Sequence, residues 1–186
     1  GDKAYTAVES EMKQLHFRNT FTPLHWKQLS ETQRRTVLES HMFLKEKRDG
    51  KIKGRTVAGG NKQRDYISME DASSPTVATE SVFLTCAVEA HEGRDVATVD
   101  LPGAFMQADI DKIIHVKIDR TILDVLLRRP VLYTKLDKAL YGTLQAALVF
   151  WKKLSGFLID NMGFTPNPYD MCIVNKMINN KQFTIA

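Results

Sequence analysis

Cysteine is nearly absent from this chain: two in 186 residues, Cys86 and Cys172, far apart and each among apolar neighbours. No second Cys or His follows either one at metal-site spacing, and the five histidines (His16, His25, His41, His91, His115) show no paired spacing for zinc. A disulfide framework is thereby excluded, and reduced thiols in an intracellular protein, cytoplasmic or nuclear, are expected. Long hydrophobic runs are missing too. The longest mostly apolar stretch, Val82–Ala90, is broken by Thr85 and Glu89 and falls short of the roughly 20 residues a membrane span needs, so no membrane partner is expected. The opening Gly1-Asp2-Lys3 lacks the apolar run of a signal peptide. There is no internal repeat, no low-complexity tract, and no Ser or Cys nucleophile with a local base.

What is present is enough apolar residue, 43%, for a packed core, with 26% charged. The modest excess of 26 basic over 22 acidic residues is concentrated in one place. Between Lys45 and Arg64 lie eight basic residues (Lys45, Lys47, Arg48, Lys51, Lys53, Arg55, Lys62, Arg64) against Glu46 and Asp49, a net +6 that leaves −2 for the rest. Asp49-Gly50 reads as a hairpin turn and Gly59-Gly60-Asn61 as another, with one strand, Lys51–Ala58, between them. Alternation along that strand puts Lys51, Lys53 and Arg55 on one face, which suits a polyphosphate or a nucleic-acid backbone. A solvated face accounts for a charge run as well.

Helical spacing of Ala4, Val8, Met12 and Leu15 predicts an opening amphipathic helix. The capping box Ser30-Glu-Thr-Gln33 predicts a second, running to about Leu44. Val82, Phe83, Cys86, Ala87 and Ala90 form the stripe of a third, stopped by Gly93. Asp95–Leu101 alternates as a strand ended by Pro102-Gly103, and Ile114–Ile118 and Val131–Leu136 suggest two more. A long helix with Leu144, Leu148, Trp151 and Leu158 on one stripe ends near Gly163. Met171–Val174 and Gln182–Ile185 read as strands about an Asn179-Asn180 turn. This order implies an α+β domain, an antiparallel sheet with helices on one side.

Asp100 is the most informative carboxylate. It closes a strand opposite the aliphatic face, just before a tight turn, where its oxygens and a neighbouring carbonyl can reach a metal. A lone strand-terminal acid is also an ordinary turn former, and Asp109 and Asp111 read as an acidic pair on a loop or, equally, as solvated loop charges.

Several blocks together resemble the copia-type retrotransposon reverse transcriptases. Asp95-Val-Ala-Thr-Val-Asp-Leu-Pro-Gly-Ala-Phe-Met106 is similar to the family's first catalytic motif. Lys135-Leu-Asp-Lys-Ala-Leu-Tyr-Gly142, followed by Gln145-Ala146 and Phe150-Trp151, resembles its Leu-Tyr-Gly segment and following helix. Lys53-Gly-Arg-Thr-Val-Ala58, Ser73-Ser-Pro-Thr-Val77 and Asn167-Pro-Tyr-Asp-Met-Cys172 match further blocks in the family's order. Gly59 stands where the family usually has a charged residue, and Ala147 where it has Pro. The stretch between Val116 and Val131 is shorter than the family's fingers insertion.

The resemblance implies an RNA-directed DNA polymerase using Mg²⁺ or Mn²⁺, deoxynucleoside triphosphates and a primed RNA or DNA template, as part of a larger polyprotein. It implies that Asp100, with the Leu101 carbonyl, holds metal and that Lys53 and Arg55 clamp the triphosphate. Phe105 would lie under the sugar as a steric gate, and Tyr141 and Gly142 would line the nucleotide pocket. Lys51, Lys62, Arg64 and Gln145 would meet nucleic acid. Residues 1–42 would form an N-terminal helical segment, 43–76 and 113–143 the fingers, and 77–112 and 144–186 a partial palm. The family's paired aspartates follow a strand like Phe183-Thr-Ile-Ala186, so a fragment inactive by itself is expected. The alternative is a non-catalytic nucleic-acid-binding remnant of a retroelement.

Overall fold

The computed structural model describes residues 2–122 and 132–186 and divides into two compact units. The first comprises residues 1–73 and 103–150; the second, 74–102 and 151–186. Helix and antiparallel-rich sheet are both present, consistent with the α+β expectation.

The first unit opens on α1 (Asp2–Phe17), whose Ala7, Val8 and Leu15 are buried as the helical spacing requires. It stops at Asn19, which takes the left-handed conformation (φ 50°) that asparagine tolerates, and Thr20 N–H closes back on the Leu15 carbonyl at 3.0 Å. Strand β1 (Phe21–Leu24) follows, then α2 (Glu31–Thr36). The Ser30 box is formed as expected: Gln33 N–H donates to Ser30 Oγ at 3.2 Å and Ser30 N–H to Gln33 Oε1 at 2.8 Å.

The helix does not continue to Leu44. From Leu38 the chain is a strand, β2 (Leu38–Glu46), paired antiparallel with β3 (Ile52–Ala58) from Ser40↔Ala58 to Glu46↔Ile52. Leu38 and Ser40 are buried while Glu39 and His41 are exposed, a period of two that only pairing with neighbouring strands brings out.

After α3 (Met69–Ala72) in the first unit comes α4 (Thr79–Glu92) in the second. The first unit resumes with β4 (His115–Lys117), α5 (Arg120–Ile122) and β5 (Tyr133–Leu136). Val131, the expected first residue of the last strand, and most of the shortened stretch after Val116 lie outside the described residues. The five strands order β1-β5-β4-β2-β3, antiparallel except β2 with β4. Leu38, Val116, Leu136, Leu140, Met106 and Leu15 are among the core side chains, each contributing about 1.5–3 kcal/mol by burial.

α6 (Ala146–Gly156) begins in the first unit and ends in the second, closing on a wide turn over Phe157–Asn161. The second unit holds a three-stranded sheet, β6 (Thr165–Pro166), β7 (Val174–Ile178) and β8 (Lys181–Ile185), in the order β6-β7-β8. The β7–β8 turn places Asn179 and Asn180 at φ 50° and 58°, the geometry of a two-residue hairpin turn. The expected strand Asp95–Leu101 is not one. The segment is irregular and exposed, Val99 at 84%. No strand among the described residues offers it backbone partners, and alternation without a partner and a buried face does not make a strand. The α4 helix is formed and capped by left-handed Gly93, but its apolar stripe is not buried: Phe83 is 70% exposed.

Candidate functional site

The outer face of the β2–β3 ribbon is cationic by construction. Cross-strand pairing sets Phe43 opposite Arg55 and Lys45 opposite Lys53, and all four are exposed. With Lys47 and Val57 they line an open hollow of about 520 Å³. Like charges directly opposite each other on a sheet are destabilising, and an anion in the hollow would relieve them. None of the ion pairs among the described residues engages Lys45, Lys53 or Arg55.

Arg55 is also stacked. Its guanidinium lies 4.8 Å from the centre of the Tyr141 ring, and Tyr141 packs against Phe105 at 4.8 Å between ring centres. Phe105 in turn meets Phe150 edge-on at 6.1 Å. Backbone contacts sew the Tyr141 loop to the strand: Ala58 N–H donates to the Tyr141 carbonyl at 2.7 Å. The approach is so close that a Cβ on Gly142 (φ +87°) would fall 2.1 Å from the Ala58 oxygen, and one on Gly60 would fall 2.1 Å from the Gly142 oxygen. Gln63, fully buried, completes the seam by accepting the Leu144 N–H at 2.9 Å through Oε1. Arg55, Phe105, Tyr141 and Gly142 are therefore neighbours, with Lys53 along the same strand face.

Other expected residues are placed differently. Lys51 does not share that face. The strand begins at Ile52, and Lys51 closes the preceding turn, its carbonyl accepting Lys47 N–H at 2.8 Å and its ammonium 3.7 Å from Asp49. It lines a different hollow, beside α1. Gln145 points inward at 2% exposure, because it falls on the buried side of the α6 start with Leu148, so it presents no amide to nucleic acid in this arrangement. Lys62 and Arg64 are exposed on the turn after β3. Asp100 and Leu101 are exposed in the second unit.

Two residues escaped the sequence reading. Gln63 carries no periodic signal that would reveal it. Glu11 does: it stands in line with Ala7 and Leu15 at four-residue spacing, an acid on a buried stripe. Its carboxylate accepts Thr56 N–H at 2.8 Å, and burial pushes its titration above the usual range, opposed by that N–H and by the Lys53 and Arg55 charges.

For metal, Asp100 offers one carboxylate and Leu101 an adjacent carbonyl. Among the described residues no group of three or more His, Cys, Asp or Glu could hold an ion. A Mg²⁺ pair needs several carboxylates, so these donors do not fit it.

The ordered motifs point to one class, the reverse transcriptases, and the α+β architecture is compatible with it. Residues 26–186 match the family of reverse transcriptase (RNA-dependent DNA polymerase), and the chain belongs to that family, in its copia-type branch. It is 23% identical over 96% of its length to a retrovirus-related Pol polyprotein from transposon TNT 1-94 of Nicotiana tabacum, of which it covers 13%. It is 27% identical over 64% of its length to the corresponding polyprotein from transposon RE1 of Arabidopsis thaliana, covering 8% of it. A truncated transposon Ty1-A Gag-Pol polyprotein of Saccharomyces cerevisiae is 24% identical over the full chain, which covers 15% of it. The chain thus spans a small fraction of these polyproteins.

Proposed function

We propose that this chain is the nucleotide- and template-gripping portion of the reverse transcriptase in a copia-type polyprotein, serving RNA-directed DNA synthesis from deoxynucleoside triphosphates. Residues 43–76 and 113–143 act as fingers, and 77–112 and 144–186 contribute to the palm. The observation that carries this reading is Arg55 stacked on Tyr141 with Phe105 beneath, beside Lys45 and Lys53 set opposite each other across the ribbon. Lys53 and Arg55 bind the triphosphate, where fixed cations offset the charge gathering on the transferred phosphate. Phe105 underlies the sugar, Tyr141 and Gly142 bound the base, and Lys62 and Arg64 hold the template-primer. Asp100 and the Leu101 carbonyl contribute to metal binding, but phosphoryl transfer needs carboxylates beyond this pair. The 186 residues by themselves bind without polymerising. That shortfall equally favours a non-catalytic nucleic-acid-binding remnant, which would hold oligonucleotide but show no specific dNTP affinity.

Fluorescence anisotropy with a labelled single-stranded oligonucleotide and with a labelled dNTP tests both. Oligonucleotide affinity is expected to fall steeply with salt. K53A/R55A should flatten the slope by about 1.4, at roughly 0.7 per phosphate contact on a single strand, and should weaken dNTP binding. An affinity indifferent to salt overturns the polyanion reading. A dNTP affinity unaffected by K53A/R55A favours the remnant.

A further inference from the structure

Helix α1 ends before the family match begins at residue 26, yet it lies directly on the inner side of β3. A Cβ on Gly54 would come 2.9 Å from the Ala7 carbonyl and 3.4 Å from the Glu11 Cβ, so glycine at 54 is what admits the helix. β3 is an edge strand, and Thr56 N–H is one of the donors that β2 does not take. Glu11, 7% exposed, fills that vacancy. A neutral amide would satisfy the same donor without the cost of burying a charge. The surroundings give the charge a use. Lys47, Lys51 and Lys53 line the hollow of about 240 Å³ into which Glu11 opens, together with Ser10 and Gln14 of its own helix. Arg55 adds its field from the far side of the strand.

We propose that Glu11 is a positioning residue for the phosphate-binding face of β3: it holds the strand's open edge through Thr56 and, as a counter-charge behind the strand, limits how strongly Lys53 and Arg55 attract a polyanion. The proposal rests on the reading of that face as a phosphate-binding surface. Neutralising Glu11 while keeping its acceptor oxygen strengthens the grip; removing the acceptor loosens the strand.

The test compares wild type, E11Q and E11L of the 186-residue chain with a labelled oligodeoxythymidine at low salt. E11Q is expected to bind about two- to fivefold more tightly at neutral pH. The gap closes as pH falls through the Glu11 titration, because wild type then loses the same charge. His41, on the outer face, is common to both proteins and cancels in the ratio. E11L is expected to show faster Thr56 amide exchange and weaker binding. Carboxyl NMR adds a readout independent of any ligand: in K53A/R55A the Glu11 titration moves further upward, since two cations that favour its ionised form are gone. An unmoved Glu11 titration in K53A/R55A, wild-type affinity in E11Q at every pH, or wild-type Thr56 exchange in E11L each overturns the proposal. If no protein binds the oligonucleotide, the reading of the face fails, and the Glu11 titration and Thr56 exchange still decide the positioning role.

Discussion

Gly142 concentrates several demands on one residue. Its φ of +87° is strained for any side chain, and a Cβ there would collide with the Ala58 oxygen at 2.1 Å and with Val57 Cγ1 at 2.5 Å. Gly142→Ala should therefore push the Tyr141 loop off β3, breaking the Ala58–Tyr141 hydrogen bond and costing at least about 2 kcal/mol in urea denaturation. A loss under about 0.5 kcal/mol would show that the loop moves freely. Arg55→Lys is a gentler probe. It keeps the charge but replaces a planar guanidinium, stacked at 4.8 Å on Tyr141, with a compact ammonium. Stability should change by no more than about 1 kcal/mol, whereas anisotropy should show weaker dNTP binding because the charge is no longer held over the ring. Equal binding by R55K would mean that charge alone matters at position 55. Both residues were legible in the sequence, because the Lys-Gly-Arg and Leu-Tyr-Gly blocks are local. The contact of Arg55 with Tyr141 was not: it joins positions 86 residues apart, and nothing in a linear pattern states which loop closes on which strand.

At the scale of elements, local signals held where local forces decide. The Ser30 box, left-handed Gly93 and the Asn179-Asn180 turn are each set by a few neighbouring residues, and each stands where expected. Expectations failed where distant pairing decides. Val37–Glu46 has no breaker after the α2 cap, so its local pattern predicts a continuing helix. Seven cross-strand pairs with β3 and two with β4 convert it to a strand instead. Asp95–Leu101 shows the converse, alternation with no partner strand. Asp170 offers a test of how the second unit is tied. Its carboxylate accepts the N–H groups of Ala78, at the start of α4, and Cys172, both at 2.9 Å, and these bonds with Ser81 hold its titration below the ordinary carboxylate value. A carboxyl lowered on folding contributes stability that is full above its unfolded value near 3.8 and lost as pH falls through the folded one. Urea midpoints of wild type should thus drop more steeply below about pH 4 than those of D170N. Parallel acid slopes would mean that α4 is held by other contacts.

For the whole molecule, the proposed binding role follows the distribution of charge. A window of twenty residues carries +6, and the structure spreads it over both sides of one ribbon: Lys45, Lys53 and Arg55 outward, Lys51 toward α1. Polymerisation asks for something that this charge does not supply. Cations hold and orient phosphates, but activating a primer hydroxyl and stabilising pyrophosphate takes two metal ions and the carboxylates to seat them. The described residues provide Asp100 and no acidic cluster around it. Binding and catalysis should therefore separate in this chain. Purified 186-residue protein with a primed poly(rA) template, dTTP and Mg²⁺ or Mn²⁺ should extend no primer while still shifting the labelled duplex at low salt. Adding D100N should change neither result, since a single carboxylate outside a complete metal site has no turnover to lose. Template-dependent extension that D100N abolishes would show that Asp100 already belongs to a working metal centre, and the proposed separation of binding from catalysis would have to be given up.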